Sequence, residues 1–201
     1  MVNTIIFDIG NVLIHFTLKD FMTTAPIKIE DLEEIRTLIR HNGLWNELDR
    51  GTVPDQTIIN QVIQDAGYLR KEVIYTIEHV HDYLHVCEYT DSWIKELKQE
   101  GLRLLYLSNY SRFLMEKKPQ VLEFTKMMDG GIFSCDVQSI KPEQEIFLHL
   151  INQYTLIPEE CVFIDDRKEN VEAALQLGFH TIHFSSYQQT RETLCHLIDI
   201  I

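Results

Sequence analysis

Positive charge is scarce in this chain. Over 201 residues, 18 Lys and Arg stand against 31 Asp and Glu, a formal net charge of -13. Such a chain gains nothing from attraction to a phosphate backbone, so nucleic acid is not an expected partner. A small anionic substrate would need positive charge gathered locally, or a metal. Long apolar runs are also missing. No stretch approaches the roughly 18 apolar residues of a membrane span, so no membrane association is expected. Residues 1–14 carry no positive leader, and Asp8 interrupts their apolar run, which argues against a secretory signal. The four cysteines, Cys87, Cys135, Cys161 and Cys195, form no CxxC pair. They are expected to be reduced thiols, and the protein cytoplasmic. Gly130 and Gly131 lack the lysine spacing of a P-loop and read as loop flexibility. No obligate protein partner is indicated.

What is present is 45% hydrophobic material, enough for a real core. TIIFDIG opens the chain as a short apolar strand. Similar runs recur at 102–109 (LRLLYLSN), 161–166 (CVFIDD) and 179–184 (FHTIHF). Runs without strict alternation suit a parallel sheet covered on both faces. Helical periodicity lies between them. SWIKELKQE places Trp93, Ile94 and Leu97 on one face, with Asp91 or Ser92 as cap and Gly101 as stop. PEQEIFLHLINQY puts Pro142 in its first turn, and KENVEAALQLG closes on Gly178. The order implies an α/β, Rossmann-like core with right-handed crossovers. Residues 15–90 read instead as helices: IEDLEEIRTLIRH, then TVPDQTIINQVIQDAG with a Thr52–Asp55 capping box, then KEVIYTIEHVHDYL. The expected division is a core of 1–14 and 91–201 with a helical insertion, or cap, of 15–90.

Three strands end in polar groups: Asp8, Ser108 with Asn109, and Asp165 with Asp166. In an open parallel sheet the binding crevice lies beyond the carboxyl ends of the strands. Lys141 precedes a helix nearby. Singly, each of these residues has an ordinary structural explanation. Together, several acids with one lysine are the chemistry of an Mg2+-assisted phosphoryl site, because adjacent carboxylates repel unless a cation compensates them. An aspartate would be the nucleophile, and backbone N–H groups at Gly10 and Asn11 could help hold phosphoryl oxygens.

FDIGNVL, LSN, KP and FIDD, with Asn170 and Ala173 following, resemble the four signature motifs of the haloacid dehalogenase superfamily. The likeness is nearest to its small phosphatases with an FDLGNV-type first motif, some of which act on sugar 1-phosphates. It spans nearly the whole chain, and residues 15–90 resemble the family's inserted α-helical cap. The resemblance implies Asp8 as nucleophile and Mg2+ ligand, and Gly10 as a carbonyl ligand. It implies Ser108 as phosphoryl binder with Asn109 beside it, and Lys141 as the charge neutraliser that steadies Asp8. Asp165 and Asp166 would hold the metal, with Asp166 favoured as the more distant member. Asn170 would orient the loop or a metal-bound water. The implied activity is hydrolysis of a small phosphorylated metabolite, such as a sugar 1-phosphate, through an aspartyl-phosphate.

Gly10 departs from the pattern, because most phosphatases of the superfamily place an aspartate there as general acid and base. Three outcomes stay open: a leaving group that needs little help, another proton source such as His15 or a cap residue, or a weakly active or non-catalytic binder. The dehalogenase branch, with an aromatic residue at that position and no metal, fits less well. In the insertion, Trp45 either stacks on substrate or packs in a core, beside His41, Asn46, Glu47 and Arg50. His15 and Phe16 are expected at the cavity entrance. His79, His81 and His85 look like a metal cluster, but His79 and His81 point to different helical faces, and a water-facing helix is the simpler account.

Overall fold

The structure is a computed structural model. It describes residues 1–17, 21, 23–41 and 43–198, with the side chains of 39–41 and 198 outside the description. Its centre is a five-stranded parallel sheet in the order β5-β4-β1-β6-β7. The strands are β1 (Thr4–Phe7), β4 (Arg103–Ser108), β5 (Gly130–Phe133), β6 (Cys161–Asp165) and β7 (His180–His183). The first strand sits in the middle, and the chain builds outward from it to one side and then the other. That reversal leaves the crevice at the carboxyl ends of β1, β4 and β6.

Both faces of β1 are covered, which explains its unbroken apolar run. Ile5 and Phe7 turn to one layer, where they share a core with Trp93, Ile94 and Leu97 of α5 (Thr90–Gln99) and Leu194 of α10 (Tyr187–Ile198). The Phe7 and Trp93 rings meet edge-on at 4.8 Å. Ile6 turns the other way, to Ile146, Phe147 and Leu150 of α8 (Gln144–Tyr154) and Ala174 of α9 (Lys168–Gln176). The α/β sheet with helices on both faces is thus the architecture expected from the strand and helix order.

Between β1 and α5 lie α1 (Ile29–His41), α2 (Leu44–Arg50), α3 (Asp55–Asp65) and α4 (Arg70–His79). They enclose their own apolar clusters, one around Ile35, Val62 and Val73 and a smaller one around Leu48, Ile58 and Ile59. Two short strands at the roots of this block escape sequence reading: β2 (Ile14–Phe16) and β3 (Leu84–Val86), paired antiparallel. IHF and LHV are too short to show a period, and LHV overlaps the end of a helical pattern. The helix expected over 71–84 accordingly stops at His79 and passes through a 3-10 turn.

Local expectations fail in three other places, each for a visible reason. The Thr52–Asp55 capping box does not form: α3 begins after Pro54, and the Thr52 hydroxyl donates to Glu47 Oε2 at 3.3 Å. Pro142 precedes α8 instead of opening it, because Glu143 is extended and its carboxylate is held by Arg50, Ser139 and the Ile140 N–H. Gly130 and Gly131 are strand residues rather than flexible loop. A Cβ at either would collide with the rings of Tyr154 or Tyr106.

Candidate active site

Strand register places the acids. Phe7 pairs with Tyr106 of β4 on one side and with Ile164 of β6 on the other. Asp8 and Asp165 each follow by one residue, so they stand abreast at the sheet edge, and the Asp8 N–H donates to the Ile164 carbonyl at 2.8 Å. Ser108 ends β4, ahead of α6 (Arg112–Lys117), and is 1% exposed. Lys141 reaches this edge from the loop after α7 (Ser134–Val137) and is itself 2% exposed. Its Nζ donates to Asp8 Oδ1 at 2.8 Å, Asp165 Oδ2 at 2.7 Å and the Leu107 carbonyl at 2.7 Å. All three ammonium donors are therefore used. Asn109 fixes the lysine's backbone: its Nδ2 donates to the Lys141 carbonyl at 3.0 Å, and its Oδ1 accepts the Lys141 N–H at 2.8 Å.

Asp165 is fully buried and its oxygens are crowded with donors. Besides Lys141, it accepts from the Arg167 N–H at 2.8 Å and from Asn170 Nδ2 at 3.0 Å to each oxygen. Asp166 is less enclosed, and Asn11 Nδ2 donates to its Oδ2 at 2.9 Å. Oxygens of Asp8, Asp165 and Asp166 lie within 4.8 Å of one another. Burial pushes the Asp8 carboxyl up to about 7; Lys141 opposes this and Asp165 adds to it. Burial likewise raises Asp166, against its bond from Asn11. Lys141 is raised despite burial, because Asp8 and Asp165 hold its proton. One lysine against three carboxylates leaves negative charge in excess, and a hard divalent cation suits such a set of oxygens. The Asn170 Oδ1 is a further buried acceptor, without a partner among the described residues.

Asp8, Asn11, Ser108, Asn109, Lys141, Asp165, Asp166 and Asn170 thus gather at or around one sheet edge. Gly10 follows Asp8 in the adjoining turn, and a Cβ there would meet nothing within 4 Å. Three other candidates make their contacts elsewhere. His15 Nδ1 lies 3.5 Å from Cys87 Sγ, and its ring is 5.8 Å from that of His85 across the β2–β3 ribbon. Phe16 packs on Phe21 in the core of the helical block. Trp45 packs against both the sheet core and the cluster of Leu48, Ile58 and Ile59. The His41 side chain lies outside the described residues. His79 and His81 each lie beside Asp82, and no histidine joins a metal-holding group among the described residues.

The sequence reading overlooked Asp49 and Glu143. Arg50, at the end of α2, grips Glu143 with both guanidinium nitrogens at 2.7 and 2.6 Å. Asp49 beside it is buried, and its carbonyl accepts from Ser134 Oγ at 2.5 Å. A charged side chain on the inner face of a short helix was the available signal.

The family model for haloacid dehalogenase-like hydrolases matches residues 2–178. The chain is 24% identical to drimenol cyclase of Aspergillus calidoustus over 98% of its own length but only 37% of that protein's. It is 25% identical to a sesquiterpene phosphatase of Aspergillus oryzae, covering 96% of this chain and 95% of the other. Among solved structures, a protein from Porphyromonas gingivalis classed as an HAD-like family hydrolase superposes with a TM-score of 0.74 at 25% identity, covering 98% of each chain. An HAD family enzyme of Bacteroides thetaiotaomicron, crystallised with magnesium and inorganic phosphate, gives a TM-score of 0.72 at 18% identity over 94% of this chain and 99% of that one.

Proposed function

The chain belongs to the haloacid dehalogenase-like hydrolases, and on that premise we propose that it is a phosphomonoester hydrolase using Asp8 and a divalent cation, Mg2+ by the chemistry of the donors. The observation that carries this reading is the group of three carboxylates, Asp8, Asp165 and Asp166, with Lys141 bonded to two of them. Asp8 would attack the phosphorus, and its ester with the phosphoryl group would then be hydrolysed. Ser108 would hold a phosphoryl oxygen, and Lys141 would neutralise phosphate charge and steady Asp8, while Asn109 keeps the lysine in place. A bound cation would offset the repulsion between the phosphate and the attacking carboxylate.

The hydrogen bonds favour an order of the paired acids opposite to the sequence preference. Asp165 already accepts from Lys141, Arg167 and Asn170, whereas Asp166 Oδ1 has no described donor. We therefore assign Asp166 as the direct metal ligand and Asp165 as the anchor of Lys141. The sesquiterpene phosphatase relative supports a small organic monophosphate as substrate, and a sugar 1-phosphate remains within that class. The helical block over 15–90 would act as the cap that closes on it.

The test is a panel of sugar phosphates, prenyl phosphates, nucleotides and p-nitrophenyl phosphate, with and without Mg2+. Turnover that needs Mg2+ and vanishes in Asp8→Asn is expected. Hydrolysis that persists in folded Asp8→Asn defeats the mechanism. Gly10 motivates a second reading, a binder of phosphorylated metabolites with little turnover. Absence of turnover across the panel, with tight phosphate binding, would favour it.

A further inference from the structure

Gly10 removes the carboxylate that the family pattern places two residues after the nucleophile, and the space before it is open. The carboxylates of the sheet edge and around the end of α2 are mostly engaged. Asp165 is bonded to the lysine and asparagine, Glu143 is held by Arg50, and Glu47 accepts from Arg50 and Thr52. Asp49 differs. It is 8% exposed, and no donor reaches its carboxylate among the described residues.

Its position is fixed by three successive residues of α2 and the turn behind it. The Asp49 carbonyl accepts from Ser134 Oγ, and that oxygen also accepts the N–H of Tyr110, two residues past Ser108. Arg50 forks onto Glu143, two residues past Lys141. Gly51 has φ +69 and sits so close to Cys135 that a Cβ would come within 3.0 Å of it. The end of α2 is thereby clamped to the segments that follow Ser108 and Lys141. Of the charges that act on Asp49, Asp8 is the strongest, then Lys141, Arg167 and Asp55. Tyr110 and Cys135 both feel its charge in turn.

We propose that Asp49, carried by the helical block, performs the proton transfer that position 10 cannot. The idea rests on the phosphomonoesterase reading. In the first step Asp8 forms a bond to phosphorus, the bond to the leaving oxygen breaks, and protonated Asp49 gives that oxygen its proton. In the second, Asp49 takes a proton from water as the water oxygen bonds to phosphorus. The bond from phosphorus to Asp8 breaks, releasing phosphate and restoring both carboxyl groups to their starting states. Burial, reinforced by Asp8, pushes the Asp49 carboxyl up to about 7, close to the optimum for a group that must both give and take a proton near neutral pH. Because the acid sits on the block and the nucleophile on the sheet, chemistry would require the two to be docked.

The test uses the full-length protein with Mg2+ and compares Asp49→Asn with wild type on two substrates. An alkyl phosphate accepted by the wild type has a leaving oxygen that needs a proton; p-nitrophenyl phosphate does not. Asp49→Asn is expected to slow alkyl phosphate turnover by ~10²–10⁴, while its first-step release of p-nitrophenol stays within about tenfold of wild type. That release should appear as a burst of one equivalent before slow hydrolysis of the aspartyl-phosphate. The basic limb of the wild-type kcat/KM profile should disappear. Equal slowing of both substrates with the pH profile unchanged overturns the proposal, and so does full alkyl turnover. If Asp49→Asn does not fold, Asp49→Ser carries the same comparison. A wild type that turns over no phosphomonoester defeats the underlying reading instead, so the two failures are distinct.

Discussion

Lys141 shows how much one residue holds together. Its ammonium is the sole cation bonded to both Asp8 and Asp165 among the described residues, in a site nearly closed to solvent. Lys141→Met should abolish turnover and cost about 3–5 kcal/mol of stability at neutral pH, because two buried carboxylates are left uncompensated. Urea denaturation should show that loss shrinking at pH 5, where the acids can take up protons. Asp8 and Asp49 make a related prediction. Both carboxyls are raised from 3.8 to about 7 on folding. Between those values the folded chain binds more protons than the unfolded one, so metal-free stability should fall as pH rises from about 4 to 7 and level off above. Asp49→Asn removes its share, and its melting temperature should decline less over the same range. Position 10 is permissive: its Cβ direction is open and its φ is not positive. Gly10→Asp should therefore fold with a melting temperature within a few degrees of wild type.

At the scale of elements, the informative piece is α2, only seven residues long. It has too few turns to be stable alone, and its end is held by contacts to the core. The Arg50–Glu143 pair is partly solvent-exposed, with side chains 23% and 38% accessible. Breaking it in Glu143→Ala should cost about 1 kcal/mol or less in overall stability. If Asp49 transfers the proton, the effect on kcat should be larger than on folding, since the clamp that holds the end of α2 is loosened. Steady-state kinetics beside a thermal melt checks this. Equal, small changes in both would mean that the clamp does not reach the chemistry. The β2–β3 ribbon is the complementary element, joining both roots of the helical block to the sheet.

At the scale of the whole molecule, the sheet brings together residues more than 150 positions apart, as in the Asn11–Asp166 bond. A cation bound among the three carboxylates should stabilise the folded state alone, by about 2.7 kcal/mol at a hundredfold excess over its Kd. Mg2+ should therefore raise the melting temperature of wild type. It should do so much less in Asp166→Asn, the variant that removes the assigned ligand. An undiminished shift in that variant would instead point to Asp165 as the ligand. Among the described residues no helix is long and apolar enough to cross a membrane.

Much of this was already legible in one dimension. Buried strands announce themselves as apolar runs, and each ends where a polar side chain must meet the crevice. Asp8, Ser108, Asp165 and Asp166 could thus be read from their place after a strand, and Lys141 from its place before a helix. Gly10 was equally plain as a missing acid. Contacts between segments were not legible, because they depend on which surfaces meet. His15, one of the candidate proton sources beside a cap residue, turns to Cys87 on the ribbon. Asp49, an unremarked acid in a short helix, is buried where the charge of Asp8 reaches it. Local sequence determined the strands, the acids at their ends and the missing carboxylate at position 10. Only the tertiary structure decided which other carboxylate is buried within reach of the charge on Asp8, because burial and the approach of distant charges are properties of packing.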